Sequence, residues 1–131
     1  CMPLEGARKV VCKGMLIGVS THNLEDAKAA EAGGADFITF GPIFETPSKT
    51  QYGYPVGLEA IKSLITEVYI PIFAIGGIHS GNIKQIIMSG AAGVAMISAI
   101  FSSPDIRTAA SKFAQAEKIM EKYRCNDCAP R

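Results

Sequence analysis

The segment 41–57 reads GPIFETPSKTQYGYPVG and holds Lys49 close to the hydroxyls of Thr46 and Ser48. An ammonium beside hydroxyl donors can neutralise a phosphate or pyrophosphate. The same residue types also make a solvated surface loop, where most lysines lie. A second candidate is Gly76-Gly77-Ile78-His79. Paired glycines let backbone N–H groups approach an anion with no side chain between them, or they simply make a tight turn. The short segment at Ser98-Ala99 can aim further N–H groups at the same anion, as at a helix N-terminus. Ser20-Thr21-His22 adds a hydroxyl and an imidazole. His22 suits general acid or base work, because its reference pKa is near neutral; a helix-start histidine bonded to a backbone group is the other reading. His79 reads as structural or peripheral. Cys125 and Cys128 form a C-x-x-C in the tail CNDCAPR. A zinc site needs about four ligands and no second pair has suitable spacing, so these read as exposed tail thiols.

Four apolar runs must position these residues: MLIGVS (15–20), FITFGPI (37–43), IPIFAIGG (70–77) and GVAMIS (93–98). They are continuous rather than alternating, which predicts parallel strands covered on both faces. Helix patterns separate them. Leu4, Ala7, Val10 and Val11 predict an opening helix. Asn23 predicts a cap, with Glu25 and Asp26 in the first turn and Gly33-Gly34 at the end. Leu58, Ile61, Leu64 and Ile65 form one stripe; Ile83, Ile86 and Ile87 form another, following Ser80. A last helix begins near Ser103-Pro104-Asp105, with a stripe of Ile106, Ala109, Ala110, Phe113, Ala116, Met120 and Tyr123.

This alternation predicts an α/β fold with a parallel sheet, either doubly wound or a (β/α)8 barrel. A barrel usually takes about 250 residues, and this chain supplies about half of its units. It opens on a helix with no strand before it, as the back half of a longer unit would. In both architectures the ligand sits at the C-terminal strand ends, which gathers all the candidate segments on one face. A phosphate site after strands seven and eight of a barrel would fit Gly76-Gly77 and Ser98-Ala99.

The chain has 131 residues, 48% of them hydrophobic, enough for one core. A net charge of +1 gives no electrostatic footprint for nucleic acid or a membrane surface. No apolar run reaches the ~18 residues of a membrane span, and no signal peptide is evident, so a cytoplasmic protein is expected.

Four motifs, GVSTH, GADFITFGPIFETPSK, IPIFAIGGI and SGAAGVAMISAIF, run from about Leu16 to Phe113. Together they resemble the thiamine phosphate synthase and TenI-like superfamily, the synthases more than the thiazole tautomerases. The resemblance implies a (β/α)8 TIM barrel, with residues 1–131 as its C-terminal half and 125–131 as a flexible tail. It implies condensation of 4-amino-2-methyl-5-(diphosphooxymethyl)pyrimidine with 4-methyl-5-(2-phosphooxyethyl)thiazole, giving thiamine phosphate and pyrophosphate. By motif position Ser20 and Lys49 would contact the pyrophosphate, and Thr46, Pro47 and Ser48 would line the thiazole phosphate. Gly77, Ile97 and Ser98 would bind that phosphate through backbone N–H groups. In a tautomerase, His22 would move a proton on the thiazole phosphate. A non-catalytic phosphate-binding half-barrel is the third reading. Ser48 stands where the family more often has Thr, and Ala92 where it usually has Asp. Magnesium is implied, with ligands expected upstream of Cys1, as are the groups that grip the pyrimidine. The chain is therefore expected to work with a missing barrel half, or as a homo-oligomer.

Overall fold

The computed structural model describes residues 3–46 and 54–115. Pro47, Ser48, Lys49 and the tail cysteines Cys125 and Cys128 lie outside the described residues. The element order is α1 (Leu4–Val10), β1 (Gly18–Thr21), α2 (Leu24–Ala32), β2 (Phe37–Phe40), α3 (Gly57–Ile65), β3 (Ile72–Ile75), α4 (Ile83–Met88), β4 (Gly93–Ala95) and α5 (Ser98–Phe101). A further helical stretch covers 106–115.

The helix signals act as their chemistry requires. Asn23 accepts from Asp26 N–H at 2.7 Å and starts α2, which ends at Gly33. At the last helix Asp105, rather than Ser103, caps the first turn by accepting from Thr108 N–H at 3.0 Å. Glu5 in the first turn of α1 and Arg8 and Lys9 in its last complement the helix dipole.

All four strands are parallel and stand in chain order, β1-β2-β3-β4. Right-handed crossovers between strands that always advance in one direction place every helix on the same face. A doubly wound sheet reverses that order at a switch point, and this one does not. It is the arrangement of half a (β/α)8 barrel. Side chains alternate accordingly. Thr21, Ile38, Phe40, Ile72 and Ala74 are buried, and the core also holds Ala27, Ile61, Leu64 and Ile86 from α2, α3 and α4. The opposite face carries Gly18, Ser20, Phe37, Thr39 and Phe73, with Gly18 opposite Phe37, Ser20 opposite Thr39 and Phe73 opposite Gly93. There Phe37 and Phe73 meet edge to face, centroids 5.5 Å apart. A Cβ on Gly18 would lie 2.3 Å from the Phe37 ring, and one on Gly93 2.8 Å from the Phe73 ring. Glycine at the flanks makes room for the aromatic pair in the middle.

Two expectations are corrected. The strands are shorter than the apolar runs, and Met15 and Leu16, expected in β1, are 53% and 70% exposed. The last helix does not bury its stripe: Ile106 is 48% exposed and Ala110 is exposed, with only Ala109 and Phe113 half-buried among the described members. A stripe shows which face is apolar and not whether a neighbour covers it. In α1 likewise no residue is fully buried, and Val10 is exposed.

A polar staple fixes α1 under the N-terminal ends of β1 and β2. Arg8 donates to the Met15 and Gly34 carbonyls at 3.1 and 2.6 Å and to Asp36 Oδ2 at 2.8 Å. The same oxygen accepts from Ile17 N–H at 2.6 Å. The Ile17 N–H, and then Arg8, hold the Asp36 carboxyl below its ordinary value of 3.8. A depressed folded-state pKa adds stability above the ordinary value and loses it as pH falls through the depressed one. Asp36→Asn should therefore melt below the parent at pH 7, with the gap closing below pH 3.8. Thermal melts across pH 2–7 measure this, and a gap of constant size would refute it.

Candidate functional site

The site is built where β2 runs on past its last paired residue. Ile43 N–H donates to the Ile75 carbonyl at 3.0 Å and Phe44 N–H to the Gly76 carbonyl at 3.2 Å, so 41–44 stays alongside the end of β3. The return arm closes on the same stretch: Val56 N–H donates to Pro42 O at 2.9 Å and Gly57 N–H to Ile43 O at 3.2 Å. The polar part of the 41–57 segment thus leaves and re-enters through one bonded neck at the C-terminal edge of the sheet. Thr46 is half-buried at the last described position of the outgoing arm.

Gly76 and Gly77 make this close approach possible. Both have positive φ, +98° and +65°. A Cβ on Gly76 would lie 2.6 Å from Pro42 Cβ, and one on Gly77 2.6 Å from the Glu45 carbonyl oxygen and 2.7 Å from Phe44 Cβ. The space a side chain would take is filled by the neighbouring loop. The glycines therefore answer to backbone packing and conformation, a stronger demand than clear access for an anion.

Asn82 is the residue that composition and motif reading missed. It is 8% exposed, its Oδ1 accepts from His79 N–H at 2.9 Å, and its Nδ2 donates to the Gly77 carbonyl at 2.9 Å. One side chain clamps the turn and holds the Gly77 carbonyl, leaving the N–H side of the turn for other partners. No motif marked it; its only signal was a polar residue just before the Ile83 stripe. His79 serves the same turn, its Nδ1 accepting from Gly81 N–H at 3.1 Å, in keeping with a structural part.

β3 and β4 are hydrogen-bonded neighbours, with Ile75 opposite Ala95. Gly77 and Ile97 therefore leave adjacent strand ends, about one strand spacing of ~4.8 Å apart. Among the described residues, no protein acceptor takes the N–H groups of Gly77, Ile97 or Ser98. Such groups at a strand-to-helix turn form a concave, positive patch suited to an oxyanion.

At the other edge, His22 Nδ1 lies 2.6 Å from the Gly41 carbonyl oxygen. A carbonyl only accepts, so Nδ1 is the donor of this bond. Ser20 is exposed on the face away from the helices, and its Oγ accepts from Thr39 Oγ1–H at 3.1 Å. The sheet thus brings Ser20, His22, Thr46, Gly77, Ile97 and Ser98 to one end. A cleft of about 370 Å³ lies between the β3–α4 turn and residues 99–113, lined by His79, Ser80, Asp105, Lys112 and their neighbours. It contains none of those six residues. Among the described residues, no group of three or more His, Cys, Asp or Glu could hold a metal ion.

Comparison with known proteins places the chain in a family. The family model described as thiamine monophosphate synthase (TMP-TENI) matches residues 1–100. The chain is 53% identical over 106 residues to a putative thiamine-phosphate synthase of Geobacter sulfurreducens, covering 81% of this chain and 50% of that protein. It is 45% identical to a thiamine-phosphate synthase of Methanocella arvoryzae, covering 94% and 57%. Among solved structures, thiamine phosphate pyrophosphorylase from Pyrococcus furiosus superposes with a TM-score of 0.79 at 35% identity, covering 92% of this chain and 55% of that one. The chain spans about half the length of the curated relatives it matches.

Gly77→Ala should cost about 1–3 kcal/mol through forced positive φ and the clash with Phe44 and Glu45. Denaturant melts would show it; unchanged stability would mean that the loop after β2 moves aside without penalty.

Proposed function

This chain belongs to the thiamine monophosphate synthase family, and from that membership we propose that the intact protein carrying it makes thiamine phosphate. The pyrimidine methylene–oxygen bond breaks and pyrophosphate departs with the electron pair. The thiazole ring nitrogen then donates its lone pair to the methylene carbon, forming the new C–N bond. The observation that carries this reading is the set of unpartnered N–H groups at Gly77, Ile97 and Ser98, an anion cup suited to the thiazole phosphate. Ser20, at the opposite edge of the same strand ends, suits a second anion. Two separate sites match two anionic substrates.

In this reading Ser20 and Lys49 bind the pyrophosphate. Hydrogen bonds and positive charge at its oxygens count for more as the bond breaks and charge collects there. Thr46, Pro47 and Ser48 line the thiazole phosphate. The neck fixes the two described ends of the 41–57 segment at the C-terminal edge of the sheet. Magnesium would add charge at the pyrophosphate; its ligands are assigned to residues beyond this chain, and no step here runs through it.

His22 supports a second reading. Its ring, bonded through Nδ1 to the Gly41 carbonyl, stands at the strand ends where a tautomerase would move a proton on a thiazole phosphate.

The two readings separate in one assay. The intact protein, given both substrates and magnesium, should release thiamine phosphate and pyrophosphate. Thiazole isomerisation with no thiamine phosphate would replace the first reading with the second. In the condensation, Lys49→Ala should lower the rate by about 10²-fold, the scale of one lost electrostatic contact to developing charge. Unchanged kinetics would assign Lys49 to the surface.

A further inference from the structure

We propose that Thr39, in the middle of β2, is a positioning residue that orients the Ser20 hydroxyl toward the leaving pyrophosphate. The inference rests on the reading of Ser20 given above and goes beyond it by giving a role to Thr39.

Ser20 and Thr39 are register partners on adjacent parallel strands, on the face away from the helices. The Thr39 hydroxyl donates to Ser20 Oγ at 3.1 Å. Thr39 is itself held. Its carbonyl accepts from the hydroxyl of Thr21, a side chain 1% exposed, at 3.1 Å. Its branched Cβ restricts χ1, and it is half-buried, with Phe73 opposite it on β3. Ser20 lacks the branched Cβ, and a serine has three rotamers open to it.

Either hydroxyl of this pair can donate. When Ser20 gives its proton to an anionic oxygen, Thr39 is the donor of the pair, and the bond it gives polarises the O–H that Ser20 offers. Thr39 has no need to touch the substrate; it selects the rotamer and strengthens the donor.

Steady-state kinetics of the intact protein test this. Thr39→Val keeps the shape and removes the hydroxyl. It should lower kcat/KM for the pyrimidine pyrophosphate about fivefold, the scale of one hydrogen bond between neutral groups, and leave KM for the thiazole phosphate unchanged. Thr39→Ser should restore most of the activity. The Ser20→Ala/Thr39→Val double variant should be no slower than Ser20→Ala, because Thr39 acts only through Ser20. Thr39→Ala takes the place of the valine variant where that one does not fold. A slow Ser20→Ala variant beside fully active Thr39 variants would overturn the inference alone, as would single losses that multiply. A fully active Ser20→Ala variant would remove the pyrophosphate reading of Ser20, and the inference with it.

Discussion

Everything at the functional end of this sheet depends on how closely β2 and β3 stay together after their regular pairing stops. The Ile43–Ile75 and Phe44–Gly76 hydrogen bonds hold the chain together three and four residues after β2 ends at Phe40. There is little slack in that contact: a Cβ on Gly41 would lie 2.0 Å from the Ile75 carbonyl oxygen. Such an approach is open only to glycine. Three consequences follow from it. The 41–57 segment starts from a fixed point, the Gly41 carbonyl comes within reach of the His22 ring, and the Gly76-Gly77 turn is pressed into its positive-φ shape. The site is therefore the outcome of one backbone contact rather than of separately placed side chains.

The same contact explains why the turn after β3 suits an anion. Phe44 and Glu45 occupy the side where a Gly77 side chain would project, and Asn82 takes the Gly77 carbonyl. With both of those directions committed, the N–H side of the turn is what remains beside Ile97 and Ser98 at the end of β4. A preorganised N–H cup costs little to reorganise when an oxyanion arrives, which is the condition for strong electrostatic binding. Asn82 thus does for the cup what Thr39 does for Ser20: each uses a hydrogen bond on one side to decide what is offered on the other.

How far this could be read from residue types depended on whether the signal was local. The Asn23 cap, the Gly33-Gly34 stop and the Ile61/Leu64 stripe depend on near neighbours in the chain, and they form as their chemistry predicts. The four strands were legible because their runs are apolar on both faces. Their ends were not, since Met15 and Leu16 are apolar without having a partner strand or helix over them. The Ile106 stripe failed for the same reason: periodicity describes one helix, and burial needs two elements. Gly76-Gly77 was located correctly but for a partial reason, because the demand on it comes from Phe44 and Glu45, more than thirty residues away in the chain. Asn82 and Thr39 were invisible for a related cause. Each matters through a bond whose partner only the fold reveals.

The two ends of the sheet also divide the chemistry between them. At the N-terminal strand ends the charged groups are spent on holding the frame: Arg8 and Asp36 before β1 and β2, and Glu31, which accepts from the Tyr69 and Ile70 N–H groups ahead of β3. Lys28 and Glu67 pair at 2.7 Å on the same side. At the C-terminal ends the described groups include hydroxyls, an imidazole and backbone N–H donors. The acids there are Glu25 and Asp26, in the first turn of α2, and the exposed Glu45. Glu25 and Asp26 complement the N-terminal end of the α2 dipole, so their charge answers to the helix. The Arg8–Asp36 and Lys28–Glu67 ion pairs thus hold the frame at the end away from the candidate binding groups.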